Sequence, residues 1–227
     1  MTILCIETST SVCSAAICKD GALIKQCICL EGSNHARLLP RYIEELLSFA
    51  REQSLSIDAV ALSEGPGSYT GLRIGSSTAK GLCYGLNIPL LPVSTLDVLN
   101  EASGIKDGIL IPMIDARRME VYTQIDGETK AVVVENEDSL IANSQEQIAN
   151  SPIYYFGDGA EKCANIFTKP NWHFIPNIVP EAQYLGVLAE SIVNRKSSNR
   201  PSIDLAYYEP FYLKEFIAAQ SHVKGLK

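Results

Sequence analysis

The stretch SEGPGSYTGLRIGSSTAKGLCY, residues 63–84, decides how the rest of the chain is read. Ahead of it, residues 57–62 form a short apolar run with the character of a buried strand, and Gly65-Pro66-Gly67 stops any regular element there. Ser68 or Thr70 is placed to cap the helix that follows, leaving backbone N–H groups pointing out of the turn in a way that suits an anion. The spacing matches neither of the familiar nucleotide loops. A triphosphate loop needs Gly followed at once by Lys and Ser or Thr, whereas Leu72 and Arg73 follow Gly71. The dinucleotide fingerprint needs another glycine spacing and an acid closing the next strand near Pro92, where none stands. A tight turn and a phosphate contact both remain open for these glycines.

Within the helix, Gly71, Gly75, Ala79 and Cys83 recur every four residues and leave one face almost bare. Glycine in a helix interior costs about 1 kcal/mol relative to alanine, so two in one stripe imply close approach of another backbone. That backbone is a strand or helix of the same chain, or a helix of another subunit. Arg73, one turn in, can reach a phosphate or a carboxylate.

A chain of 227 residues buries a proper core as one large domain or two small ones. No run of about 18 apolar residues occurs and no basic leader precedes the first strand, so neither a membrane span nor a signal peptide is expected, and a cytoplasmic location is. Nineteen basic against twenty-six acidic side chains give a net charge of −7, which repels nucleic acid overall. The basic cluster Arg195, Lys196 and Arg200 stands at the end of an expected helix, where such residues suit the helix dipole. Seven cysteines, odd in number and mostly within apolar runs, fit buried thiols in a reducing compartment. Cys27 and Cys29 share a strand face, and the absence of any C-x-x-C argues against a metal or redox site.

In chain order, residues 2–6 form an apolar strand closed by Glu7, 12–18 a second, and Asp20-Gly21 turns the chain into a third, 22–30. Ser33 caps a helix with apolar residues Leu39, Ile43, Leu46 and Ala50, bent by Pro40. Beyond the glycine-rich stretch come a strand at 88–93 and a helix at 94–102. The pattern then restarts. Strand 108–114 ends in Asp115, 119–125 follows, and Asp126-Gly127 turns into 130–135. An amphipathic stretch at 140–148, a strand at 153–156, the turn Gly157-Asp158-Gly159 and a helix at 180–194 continue the second lobe, and residues 211–219 are apolar enough to pack back on the body. Near-equal intervals from Glu7 to Gly21 and from Asp115 to Gly127 mark two lobes of one topology. The fold class is α/β, a two-lobed actin-like ATPase (duplicated ribonuclease H-like) architecture. Its lobes are 1–104, carrying partner-binding helices, and 105–227, whose tail packs back on the first lobe. Glu7 and Asp115 would then face an inter-lobe cleft and could orient phosphates.

Ile6-Glu7-Thr8-Ser9, the run from Gly65 to Gly75, Pro92-Val93-Ser94-Thr95-Leu96 and Ile114-Asp115-Ala116-Arg117 together resemble the glycoprotease-like family of tRNA threonylcarbamoyladenosine biosynthesis. The resemblance is strongest over the first half and implies the actin-like fold. It also sorts the chain between two branches. The catalytic branch carries His-x-x-x-His just after a Pro-Val pair, and Thr95 and Leu99 occupy those positions here; neither holds a transition metal well. The catalytic branch follows Glu-Thr-Ser with Cys-Asp-Glu, whereas Thr10, Ser11 and Val12 follow here. None of His35, His173 and His222 starts a metal-ligand motif, so no metal and no metalloprotease activity are expected. The resemblance implies a non-catalytic scaffold and dimerisation subunit. Its partners would be a catalytic paralogue, TsaD, and a small P-loop ATPase, TsaE, with a homodimer when alone and tRNA reached only through the complex. It implies no tightly bound cofactor, with ATP or ADP held at a subunit interface. The partner surface would comprise His35, Leu39, Gly71, Arg73, Gly75, Ala79 and Cys83. Nucleotide phosphate would meet Glu7, Gly65, Gly67, Ser68 and Asp115.

A reading of a different class is an autonomous actin-like ATPase or small-molecule kinase using Glu7 and Asp115. Glu7-Thr8-Ser9-Thr10 lacks the glycine that such kinases place after the first strand.

Overall fold

β1 (Thr2–Glu7) is buried over its whole length, as a strand must be when helices cover both faces of its sheet. The computed structural model describes residues 1–32, 34–141, 151–195 and 203–214. β2 (Cys13–Lys19) pairs antiparallel with β1, and β3 (Ala22–Cys29) antiparallel with β2. The β2–β3 turn sits on Asp20 and Gly21, both at positive φ (51° and 78°), the conformation that matches strand twist. β4 (Ala59–Gly65) and β5 (Leu90–Ser94) add in parallel, giving the order β3-β2-β1-β4-β5. The second sheet repeats this. β6 (Ile109–Asp115), β7 (Glu120–Ile125) and β8 (Glu128–Val133) form the meander, turning on Asp126 and Gly127 at positive φ. β9 (Ile153–Phe156) and β10 (Trp172–Ile175) add in parallel, so that the order β8-β7-β6-β9-β10 mirrors the first sheet strand for strand. The sequence pattern missed β10.

Helical spacing predicts the buried face of α1 (His35–Glu52), and the structure buries Leu39, Ile43, Leu46 and Ala50 together with His35. α2 (Tyr69–Leu86) starts at Ser68, whose hydroxyl accepts from the Gly71 N–H at 3.3 Å. Both helices cover the sheet face formed by Leu4, Ile6, Ala15, Ile17, Val60 and Leu62. In the second lobe α4 (Asp138–Ile141) and a 3₁₀ turn at Glu161–Cys163 stand where α1 and α2 stand in the first. The expected cap Ser33, the amphipathic stretch beyond 141, the side chains of the basic cluster and the tail beyond 214 lie outside the described residues.

The lobe boundary differs from expectation. Helix α5 (Ala182–Arg195), assigned from sequence to the second lobe, packs on the first sheet: Ala182, Leu185 and Ala189 cover Ile3, Cys5, Ala16, Cys18, Ala59 and Ala61. The Ala182 N–H donates to Ser14 Oγ at 2.9 Å, and the Gln183 N–H to Gln26 Oε1 at 2.9 Å. Gly186 permits this approach, because a Cβ there would come within 2.5 Å of Cys18. In the other direction, Leu96 and Leu99 of α3 (Thr95–Ser103) join Ile114 and Phe156 of the second sheet. Each lobe's final helix thus covers the other lobe's sheet. After α5, residues 203–214 run back along α2. Lys80 Nζ donates to the carbonyls of Ala206 and Tyr208 at 3.3 and 3.1 Å, and the Phe211 N–H to the Glu64 carbonyl at 2.8 Å.

A fragment of residues 1–104 leaves the Ile3-Cys5-Ala61 face bare, and is expected to lack a cooperative thermal transition by circular dichroism; a sharp melt would show the first lobe to be self-sufficient. Glu137 supplies a pH-dependent contribution in the second lobe. Its buried carboxylate accepts from the backbone N–H groups of Thr168 and Lys169, the latter at 2.7 Å. Burial pushes its pKa up, but these donors outweigh it and hold the group below the ordinary glutamate value. Such a group stabilises the fold above its unfolded pKa and loses that contribution as pH falls through the folded one. Glu137→Gln should therefore melt lower than the native chain at neutral pH, with the gap closing as pH drops below about 4.

Candidate functional site

The loop after β1 meets α2 backbone to backbone. Thr8 Oγ1 donates to the Gly71 carbonyl at 2.8 Å, and the Ser68 N–H donates to the Ser9 carbonyl at 2.6 Å. A Cβ on Gly67 would overlap the Ser9 carbonyl oxygen, one on Gly71 the Thr8 carbonyl oxygen, and one on Gly75 the Thr8 hydroxyl. The bare stripe is therefore an intrachain contact. This corrects the expected partner surface: Gly71, Gly75, Ala79 and Cys83 face their own lobe's interior and are closed to another subunit. Leu39 is fully buried in the same core. His35 is buried too, its Nε2–H on the Val12 carbonyl at 3.1 Å, where it anchors the end of the same loop. Among the expected interface positions Arg73 is exposed; its guanidinium lies 4.2 Å from the centre of the Tyr69 ring and its Nε donates to Tyr212 Oη at 3.4 Å.

Between the lobes lies a cleft of about 710 Å³, with Ser9, Ser11 and Ser68 on one wall, Asp115 and Asp158 on the other, and residues 211–214 along its rim. Its acids are restrained. Glu7 lies fully buried behind the wall, Oε1 accepting from both the N–H and the hydroxyl of Ser9 at 2.6 Å. Burial pushes its carboxyl up, against the hydrogen bonds from Ser63 and Ser9. Asp115 forms an ion pair with Lys162, whose Nζ also donates to the Glu120 carbonyl at 2.7 Å. Asp158 Oδ1 accepts from the Asp115 N–H at 2.9 Å; crowding by the surrounding lobe pushes this carboxyl up, and the Asp115 charge adds to it. Of the residues expected at phosphate, Glu7 and Gly65 lie outside the cleft. Glu7 is sealed from the cleft, a Cβ on Gly65 would stand 2.5 Å from the Phe211 carbonyl oxygen, and the Ser68 N–H already serves Ser9. Gly67, Ser68 and Asp115 do line the cleft.

Sequence reasoning missed Asp158, Lys162, Tyr212 and Lys214. Lys214 pairs with Glu120 of β7 and so ties the returning segment to the second lobe, while the Tyr212 ring meets Tyr69 of the first in a tilted contact, centroids 5.1 Å apart. The internal repeat held a signal for Asp158: Gly157-Asp158-Gly159 follows β9 as Gly65-Pro66-Gly67 follows β4. Gly157 lies on the Met113 carbonyl as Gly67 lies on that of Ser9. Thr95, where the resemblance would put a metal ligand, is buried and shares a 2.8 Å hydroxyl–hydroxyl hydrogen bond with Ser63; Leu99 is buried in the inter-lobe core. Among the described residues no three His, Cys, Asp or Glu side chains converge as a metal site.

Comparison with known families places residues 30–219 on the family model described as "TsaD: tRNA N6-adenosine threonylcarbamoyltransferase". The tRNA threonylcarbamoyladenosine biosynthesis protein TsaB of Bacillus subtilis (strain 168) is 32% identical over 163 residues, covering 69% of this chain and 71% of that protein. The chain belongs to the TsaD family, in its TsaB branch. The TsaB protein of Escherichia coli (strain K12) is 36% identical over 124 residues, 54% of this chain and 53% of that protein, so this alignment spans about half of each. The solved structure of YeaZ from Pseudomonas aeruginosa superposes with a TM-score of 0.72 at 25% identity, covering 93% of this chain and all of that one. The branch thus shares the duplicated actin-like fold, and among the described residues no helix is long and apolar enough to cross a membrane.

Two glycines of α2 make contrasting predictions. Gly71→Ala must displace the Thr8 carbonyl and should destabilise the chain by about 1–3 kcal/mol. Gly81, with open space where its Cβ would stand, should give an alanine variant more stable by up to about 1 kcal/mol. Chemical denaturation of the two variants measures both.

Proposed function

We propose that the chain acts as a non-catalytic subunit in tRNA threonylcarbamoyladenosine biosynthesis in the cytoplasm. The observation that carries this reading is the state of the cleft. In a fold whose active members work between the lobes, Glu7 is sealed, Asp115 is neutralised by Lys162, and buried Thr95 and Leu99 stand where the catalytic branch would place its histidines. Among the described residues the acids at the cleft are thus engaged, Glu7 by Ser9, Asp115 by Lys162 and Asp158 by the Asp115 N–H. The role left is to support a catalytic partner, the paralogue TsaD, with the P-loop ATPase TsaE and ATP or ADP at a shared interface. A homodimer forms when the chain is alone, and tRNA is reached only through the complex. The partner surface would be the outer flank of α2, with Arg73, Ser77 and Tyr84 exposed, in place of the buried stripe.

Reconstitution of tRNA threonylcarbamoylation with the catalytic paralogue, with and without this chain, tests the role. Modification is expected to depend on the chain, and equal modification without it would end the reading. Ser77→Glu, on the exposed flank, should keep the native melting temperature and weaken pairing about tenfold or more, roughly 1.4 kcal/mol, in a sizing or calorimetric titration. Calorimetry of the isolated chain with magnesium and ATP should give no micromolar binding; tight binding with turnover lost in Asp115→Asn would support an autonomous kinase instead.

A further inference from the structure

The register of the first sheet brings together two thiols that the sequence keeps sixteen residues apart. Cys13 of β2 lies directly opposite Cys29 of β3 in the antiparallel ladder, so both side chains leave the same face. The Cα separation of such a pair, about 4.5–5.5 Å, falls inside the range a disulfide spans without backbone movement. Cys29 is also the one cysteine of seven that is not buried, at the open edge of the sheet, its thiol donating to the Glu31 carbonyl at 3.0 Å. Cys13 is buried beneath α1, next to Val12, whose carbonyl holds His35 at the first turn of that helix. An accessible thiol faces a shielded one across a single ladder rung.

We infer that Cys13 and Cys29 form a peroxide-responsive disulfide that ties the end of β3 to the start of β2, next to the Val12 carbonyl that anchors His35. In the first step the Cys29 sulfur attacks hydrogen peroxide; the O–O bond breaks, an S–O bond forms, and water leaves with the thiol proton. In the second the Cys13 sulfur attacks the Cys29 sulfenic acid; the S–S bond forms, the S–O bond breaks, and hydroxide leaves with the Cys13 proton as a second water. The two thiols supply the two electrons that reduce peroxide to water. A thiol reductant reverses the bond by exchange. Burial, with the Cys29 and Glu7 charges behind it, pushes the Cys13 thiol up to about 11, so the second step should quicken as pH rises.

The experiment treats the full chain with hydrogen peroxide, quenches free thiols and locates bonds by tandem mass spectrometry. The expected result is a Cys13–Cys29 crosslink, two hydrogens lighter than the thiols, lost on treatment with dithiothreitol and absent from Cys29→Ser, a variant at the exposed partner that should fold normally. In Cys13→Ser, Cys29 should stop at the sulfenic acid and be trapped by a 1,3-diketone probe; should that variant fail to fold, the native chain with its Cys29→Ser control decides alone. A Cys29 that stays reduced, runs on to sulfinic acid without crosslinking, or pairs with Cys27 instead would overturn the proposal.

Discussion

The carbonyl oxygens of Thr8 and Ser9 occupy the space that side chains of α2 would otherwise fill, and the rest of the first lobe is built around that fact. A helix packed at ordinary distance on the end of β1 would leave the Ser9 carbonyl, the Ser68 N–H and the Thr8 hydroxyl without partners in a buried site, at a cost of about 1–3 kcal/mol each. Removing the side chains at 67, 71 and 75 lets backbone meet backbone, so the glycines exchange helix propensity for satisfied hydrogen bonds. The same contact engages the Ser68 N–H, one of the donors that an anion at the glycine-rich turn would use.

Duplication explains the two sheets. On one side of the cleft the first turn of α2 supplies Ser68 and Gly71, and on the other the turns after β6 and β9 place Asp115, Asp158 and Lys162 close together. Exchange of the terminal helices, α3 toward the second sheet and α5 onto the first, buries apolar surface that neither lobe covers alone.

What the sequence made legible was local. Apolar runs, the turn pairs Asp20-Gly21 and Asp126-Gly127, and the helical spacing of α1 carried their own periodicity, so both meanders and the duplicated architecture could be read. Contacts between elements carried no such mark. Gly71 and Gly75 announced a close approach without saying to what, and the answer came from a loop sixty residues upstream. Helix α5 has the pattern of any amphipathic helix and nothing in it names the sheet it covers. The partners of Asp115 and the opposition of Cys13 and Cys29 depend on register and chain return, which a linear reading does not contain.

The segment 203–214 ends up bonded to α2 and the β4 turn at one end and, through Lys214, to β7 at the other. Together with the two exchanged helices it makes three ties across one cleft. A hinge with a single strand through it opens freely; one crossed three times, with a salt bridge and a tilted ring contact in the crossing, behaves as a splint. A surface built on both lobes is then preorganised, so docking against it loses little conformational entropy, and the loss has already been met in folding.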